Sequence, residues 1–322
     1  MTVQVARQAP EPPASNTGAL CTDWLAFTIP ADEERAFFEF YPWDVQLLER
    51  GMLGYTHSGI VLGSGRVAWS PDRPEMGYHV VLGGRALAEV DDVAPLIGIV
   101  HELGGHITRC DVARDDRTGT LDMATVREAC ELGNFTSRFK GHSILQETKH
   151  TTAGPVAGGV TVYFGSRVSD CFVRFYDKRQ ERIAAGDDDP GPWLRLEYEF
   201  KRDKADKVAR LIVAQSWDTL AGIMLGYITF RDPVESDSNR RRWPVAAWWS
   251  EFMAGVAKVT GFFAQETKRT LGDVVAWLRN QVAPSIALLL AATGGDLGEI
   301  TELAREGRTR WKAQHRALLA AA

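Results

Sequence analysis

One tyrosine of this chain lies between two cationic residues in a segment with the alternation of a β-strand. Within residues 171–178 (CFVRFYDK), that alternation places Arg174, Tyr176 and Lys178 on one face. A phenol has an ordinary pKa of about 10, and nearby cations favour its ionised form. The same cations can bind a phosphate group. The spacing therefore predicts that Tyr176 attacks a phosphodiester whose phosphate is bound by Arg174 and Lys178.

Two further segments carry charged residues on one face of a predicted strand. These residues are Arg109 and Asp111 in residues 106–113, and Arg195, Glu197 and Glu199 in residues 194–200. If the three strands are neighbours, their charged faces form one surface, on which the carboxylates could hold a hard divalent cation through oxygen ligands. The alternative is an outer sheet face whose charges form ordinary cross-strand salt bridges.

The elements that must position these residues change in character along the chain. From about residue 22 to residue 200 the pattern is mostly period-two with glycine-containing turns, interrupted by helical spacing at 93–103 and 123–132. This pattern predicts an α+β fold, with an antiparallel sheet and flanking helices. After residue 204 the sequence is mostly helical. We therefore expect a disordered leader over 1–20, a catalytic domain over 21–204 and a helical region over 205–322.

Composition restricts the class of protein. The chain of 322 residues has 37 Lys and Arg against 42 Asp and Glu, a net charge of −5, which argues against a protein that coats nucleic acid. A DNA enzyme with a local basic face is still compatible with this charge. No apolar run reaches the roughly 20 residues of a membrane helix. The four cysteines form no CxxC pair, so we expect a reduced, cytoplasmic chain without disulfides or zinc, and no membrane partner.

Three segments in this order and spacing resemble the replication initiation factor family. They are ITRCDVARDD (107–116), VTVYFGSRVSDCFVRFYDKRQER (160–182) and WLRLEYEFKRD (193–203). The family includes rolling-circle plasmid initiators, relaxases of some conjugative elements and initiators of some filamentous phages. The resemblance implies a nicking domain in which a tyrosine attacks the scissile phosphate of one origin strand, leaving a 5′-phosphotyrosine link and a free 3′-OH.

The resemblance also implies roles for particular residues. The family's nucleophile matches Tyr176, which Arg174 and Lys178 flank. The ligands of Mg²⁺ or Mn²⁺ match Asp111 and Glu197, then Glu199 and, more weakly, Asp23. The residues that orient the carboxylates or contact DNA are Arg109, Arg167 and Arg195. Tyr163, in an adjacent predicted strand, is the rival nucleophile, but no charged residue shares its face.

Expected partners follow from the same resemblance. They are origin DNA, as a hairpin or single-stranded nick site, a second copy of the chain in a homodimer, and a host helicase. The helical region over 205–322 would serve origin recognition or oligomerisation. Two alternatives stay open: a relaxase of a conjugative element, and a protein that binds an origin or operator without cleaving it.

Overall fold

The structure is a computed structural model that describes residues 20–119, 121–152, 154–254 and 271–311, together with Arg316 and Leu319. The leader predicted over residues 1–20 lies outside the described residues except for Leu20. The chain divides into two compact units, Met1–Thr260 and Gly261–Ala322. None of the helices in the described part of the chain has the length and apolar character needed to cross a membrane.

The first unit is built on antiparallel strands. They are β1 (Leu20–Ile29), β2 (Gln46–Leu48), β3 (His57–Val61), β4 (Gly65–Trp69), β5 (Tyr78–Gly83), β6 (His106–Asp116), β7 (Phe135–Ser137), β8 (His142–Thr151), β9 (Gly154–Phe164), β10 (Cys171–Asp177), β11 (Leu194–Lys201) and β12 (Ile228–Phe230). Within the described residues, ten of them form one sheet in the order β2-β3-β4-β5-β1-β6-β11-β10-β9-β8, and β12 pairs with β7. The strand carrying Tyr176 thus lies inside the sheet, between β11 and β9.

Helices flank this sheet. Those of the first unit are α1 (Glu34–Phe40), α2 (Gly84–Leu87), α3 (Val93–Glu102), α4 (Met123–Glu131), α5 (Lys178–Ala184), α6 (Asp203–Val213), α7 (Trp217–Tyr227) and α8 (Ala247–Phe252). The second unit contains α9 (Leu271–Trp277), a π-helical turn at Leu278–Val282, α10 (Ala283–Ala292) and α11 (Gly298–Thr309). The predicted α+β class, with an antiparallel sheet, flanking helices and a helical C-terminal region, is confirmed.

One face of the sheet is apolar and forms the core. On the three central strands that face carries Cys110, Val112, Val173, Phe175, Leu196, Tyr198 and Phe200, all fully buried. Helix α6 packs on β6 and β11 through Ala205, Val208, Ala209 and Ile212, whose spacing places them on one side of the helix. Burying each large apolar side chain contributes about 1.5–3 kcal/mol, so this contact fixes α6 to the sheet.

Helices α6 and α7 are hydrogen-bonded to elements of the first unit, which bears on where one compact unit ends and the next begins. Asp206 of α6 accepts hydrogen bonds from the Ile107 amide at 3.1 Å and lies 2.8 Å from Nε2 of His101, at the end of α3. The Tyr198 hydroxyl donates to the Met224 carbonyl of α7 at 2.8 Å. Helices beyond residue 204 are thus part of the first unit, and the division falls at Thr260, not at the boundary of 204 expected from sequence.

A strand-to-helix junction fixes the end of β10. Asp177 follows Tyr176 directly, and its side chain accepts a hydrogen bond from the Gln180 amide at 2.9 Å, which caps α5. The chain therefore leaves the sheet one residue after the tyrosine. Lys178, predicted as the last residue of the strand, is instead the first residue of α5.

Candidate active site

The register of three neighbouring strands brings the predicted site residues together. Strand β11 lies between β6 and β10, and Asp111 pairs with Glu199, Asp115 with Arg195, Glu197 with Arg174, and Arg195 with Tyr176. We call this surface the polar face: Arg109, Asp111, Asp115, Arg174, Tyr176, Arg195, Glu197 and Glu199. Directly paired residues of antiparallel strands have Cβ atoms about 4.5–5.5 Å apart. The alternation seen in the sequence therefore becomes one continuous charged surface.

The centre of the polar face is a hydrogen-bonded group of three residues. The Tyr176 hydroxyl donates to Oε2 of Glu197 at 3.0 Å, and Arg174 donates to the other carboxylate oxygen. Glu197 is fully buried and Tyr176 is 7% exposed. Because a buried charge is tolerated only when it is paired, Arg174 and the phenol together keep Glu197 in this position.

The ionisation of Tyr176 differs from the sequence-based expectation. Burial, with the Glu197 carboxylate second, raises the pKa of the phenol well above its usual range. Arg174 and Lys178 lie 5.3 and 5.6 Å from the ring, but Arg174 is paired with Glu197 and Lys178 with Glu181. The prediction that these two cations favour the phenolate is therefore wrong, because their charges are already neutralised. The phenol is held in its protonated form.

A second group surrounds Asp111. The Arg109 guanidinium donates to both oxygens of Asp111, at 2.9 and 2.6 Å, and lies 2.9 Å from Oε2 of Glu199. Lys201 pairs with the other oxygen of Glu199. Burial raises the pKa of Asp111 to about 8, although Arg109 opposes the shift. The same guanidinium lies 4.5 Å from the ring of Trp24. Arg109 thus joins the two carboxylates.

A third group surrounds Arg195, which is 5% exposed. Arg195 donates to the two oxygens of Asp115 at 2.6 and 2.7 Å, and also to Asp23. The pairing of β1 with β6 shifts register between Thr22 and Trp24, so Asp23 is the extra residue of a bulge. Burial opposes ionisation of Asp23, but Arg195 lowers its pKa overall. Arg195, itself buried, therefore holds two partly exposed carboxylates beside Tyr176.

The predicted metal ligands Asp111, Glu197 and Glu199 lie on this face, but arginines bind each of them. Within the described residues, no three His, Cys, Asp or Glu side chains converge as a metal site. The donor chemistry nevertheless fits a hard divalent cation, since the paired Asp111 and Glu199 both present carboxylate oxygens. The Arg109 guanidinium occupies the position between them.

The remaining predicted residues lie around this centre. Tyr163, on β9, pairs with Arg174 in register and stacks on Phe172 with ring centroids 5.5 Å apart, and the guanidinium of Arg167 lies over both rings. Tyr163 hydrogen-bonds to no carboxylate in the described part of the chain. Of the two candidate nucleophiles, Tyr176 is thus the one that contacts a carboxylate.

Sequence reasoning missed several members of this site. Asp115 continues the alternation of Arg109 and Asp111 by two more positions, so the same pattern could have found it. Trp24 and Trp193 contact arginines of the face at 4.5 and 5.3 Å. Trp193 lies two positions before Arg195 in the same alternation, so that pattern could have found it, whereas the residues around Trp24 give no sign of its contact with Arg109.

The described part of the chain thus combines an antiparallel sheet with a tyrosine and carboxylates on one of its faces. The family model described as replication initiation factor matches residues 105–303. That match spans more than half of the chain, and the chain belongs to the replication initiation factor family. The resemblance seen in the sequence is therefore confirmed.

A curated protein and a solved structure are among the known proteins similar to the chain. The putative DNA relaxase NicK of Bacillus subtilis (strain 168) is 26% identical over 196 residues, which cover 59% of this chain and 54% of that protein. The chain thus spans about half the length of this curated relative. The structure of the rolling circle replication initiator protein from Geobacillus stearothermophilus is 28% identical, with a TM-score of 0.65, and the match covers 75% of this chain and 98% of that one.

Proposed function

We propose that the protein is a rolling-circle replication initiator that nicks one DNA strand at an origin and transfers it through Tyr176. The observation that carries the proposal is the 3.0 Å hydrogen bond from the Tyr176 hydroxyl to Glu197 on the polar face. A nucleophile and its base must lie within about 2.6–3.2 Å of each other, and this pair does. Membership of the replication initiation factor family supports DNA as the substrate.

In the proposed reaction, Glu197 takes the phenol proton and the Tyr176 oxygen attacks the scissile phosphorus. The bond from phosphorus to the 3′ oxygen breaks, and that oxygen leaves as a 3′-OH after taking up a proton from solvent. The phosphate stays on the tyrosine and on the 5′ carbon of the downstream nucleotide. Because the pKa of Tyr176 is raised in the structure, a proton acceptor in contact with the phenol is a requirement of this chemistry.

The proposed metal ion is Mg²⁺ or Mn²⁺. Asp111 and Glu199 would hold it, and Glu197, expected from the sequence as a ligand, instead uses its two oxygens to contact Tyr176 and Arg174. When bound, it would polarise a phosphate oxygen. Arg109 fixes the positions of Asp111 and Glu199, and Arg174 fixes that of Glu197. Asp23 accepts a hydrogen bond from Arg195, which is the register partner of Tyr176, so we do not assign Asp23 to the metal.

Two related proposals concern partners. Nicking and closing need two strand transfers, which favours a homodimer on origin DNA, with a host helicase opening the duplex. The second compact unit, with the helices before it, is proposed for origin recognition or oligomerisation. The similarity to a putative relaxase supports a second candidate of the same chemistry, strand transfer in a conjugative element. An origin-binding protein without activity would have no use for a buried, hydrogen-bonded tyrosine and carboxylate.

The test is covalent adduct formation on supercoiled plasmid carrying the cognate origin, with Mg²⁺ or Mn²⁺. We expect an adduct that resists denaturation, disappears in Tyr176→Phe and is abolished by EDTA. Tyr163→Phe tests the rival nucleophile: it removes only a hydroxyl that has no carboxylate partner in the described residues and keeps the ring that contacts Phe172 and Arg167, so it should form the adduct normally. An adduct that persists in Tyr176→Phe and disappears in Tyr163→Phe would place the nucleophile on β9.

A further inference from the structure

Arg117, at the edge of the polar face, forms no ion pair with an acidic residue in the described part of the chain, although Asp115 is near enough to attract it. The β6–β11 pairing ends at Asp116 and Leu194, and the next residues outward are Arg117 and Trp193. The Arg117 guanidinium lies 3.2 Å from the centroid of the Trp193 ring. Among the described residues it makes no ion pair and donates no hydrogen bond. By contrast, Arg109, Arg174 and Arg195 are all bound by carboxylates.

Two guanidinium groups contact the Trp193 ring. Arg117 lies 3.2 Å and Arg195 lies 5.3 Å from the ring centroid. The indole Nε1 is buried and has no hydrogen-bond partner within the described chain. Because this nitrogen is buried, it is not exposed to a ligand, and the ring acts here through its contacts with the two guanidiniums.

A second arginine and aromatic group lies at the other end of β10. The rings of Tyr163 and Phe172 stack at 5.5 Å with planes 17° apart, and Arg167 lies 5.7 and 5.5 Å from their centroids. Arg167 is exposed and forms no ion pair among the described residues. Its carbonyl accepts a hydrogen bond from Lys201 at 2.5 Å, which fixes the loop that carries it.

Tyr176 lies between these two groups. Phe172 is four residues before it on the same strand, about 13 Å at 3.3 Å per residue. On the other side, Trp193 lies two residues from Arg195, the register partner of Tyr176, or about 7 Å along β11. A single strand with one phosphate at Tyr176 would therefore pass both groups within a few nucleotides.

We propose that Arg117 with Trp193, and Arg167 with Tyr163 and Phe172, bind the nucleotides on either side of the phosphate at Tyr176. The unpaired guanidiniums bind phosphates, and the aromatic rings on which they lie hold them in place. Arginine and aromatic groups of this kind occur in proteins that bind single-stranded DNA. This inference rests on the proposed function, since it needs a DNA strand at Tyr176. The arginines of the polar face itself are paired with carboxylates, so phosphates on either side of Tyr176 need cations outside those pairs.

The test measures binding apart from cleavage. All variants are made in a Tyr176→Phe background, and binding of a labelled oligothymidine is measured by fluorescence anisotropy over a range of salt concentrations. We expect Arg117→Gln and Arg167→Gln each to weaken binding about tenfold and to reduce the slope of log affinity against log salt by about one. Arg117→Lys, which keeps the charge, should keep the slope.

Arg35→Gln is the matched control, because Arg35 is exposed on α1 and already paired with Glu39. It should bind like the background protein. Thermal melting identifies a variant that does not fold. If Arg117→Gln does not fold, Arg117→Lys and Arg167→Gln decide the result. Affinities and slopes equal to those of Arg35→Gln for both Gln variants would overturn the inference. The adduct assay with Tyr176 intact is separate, and its failure would count against the proposed function instead.

Discussion

At the scale of single residues, the proton of Tyr176 is the main chemical question. Two flanking cations would assist ionisation if they were free, but both are paired with acidic residues. The free energy needed to form a phenolate in this buried position must therefore come from an acceptor and from the substrate complex. Glu197 is the acceptor in contact with the hydroxyl, and its two oxygens are divided between Tyr176 and Arg174.

Glu197→Gln tests this assignment. The amide keeps the shape of the side chain but cannot take a proton, so we expect the rate of adduct formation to fall about 10²–10⁴-fold. Loss of the negative charge should also lower the pKa of Tyr176, since Glu197 raises it. Spectroscopic titration of the tyrosines measures that shift, and Glu131→Gln, an exposed residue paired with Arg127, is the control. An unchanged adduct rate would exclude Glu197 as the base.

At the scale of secondary-structure elements, the junction between β10 and α5 determines where the nucleophile lies. The Asp177 cap starts the helix immediately after Tyr176, so the last residue of the strand and the first turn of the helix are held together. A change at this cap should affect the position of the tyrosine more than the stability of the whole fold.

Asp177→Ala should therefore reduce adduct formation by about tenfold while lowering the free energy of unfolding by about 0.5–2 kcal/mol. Asp122→Ala is the matched control, because Asp122 caps α4 in the same way, by accepting a hydrogen bond from the Thr125 amide at 2.8 Å. Both variants should lose similar stability in urea unfolding. If Asp122→Ala loses as much activity as Asp177→Ala, the effect is general and the junction has no special role.

The sequence predicts which face of a strand each residue occupies, but not which residues pair across strands. Period-two alternation gives the face of each residue, so the segregation of Asp111, Glu197 and Tyr176 from the apolar residues could be predicted. Alternation does not give cross-strand partners, which depend on register. The sequence therefore could not show that Glu197 binds the tyrosine, or that Asp23 reaches Arg195 from a bulge.

At the scale of the whole molecule, the observed domain boundary differs from the boundary at residue 204 that the sequence predicts. The apolar spacing of α6 shows that one side of the helix is buried, but not what it packs against. The change to helical sequence after residue 204 therefore resembled the start of a new domain. In the structure α6 packs on β6 and β11, and the division comes at Thr260.

This division predicts that a chain ending at Thr260 folds and keeps the polar face, since all residues of that face lie in the first unit. We expect such a chain to unfold cooperatively and to form the Tyr176 adduct with a single-stranded oligonucleotide carrying the nick site. Circular dichroism and the adduct assay measure these two properties. A truncated chain that folds but forms no adduct would show that the second unit contributes to the reaction itself.

The place of Tyr176 inside the sheet has a mechanical consequence. Its strand is hydrogen-bonded to a neighbour on each side, so the backbone carrying the phenol cannot swing. In the proposed reaction, the captured 5′ end would be anchored to a stationary point. The 3′ end, the growing strand and any strand returning for rejoining would all have to move to that point. The flexibility of the DNA, and not a movement of the strand that carries Tyr176, would then determine how far the ends can separate before they are joined again.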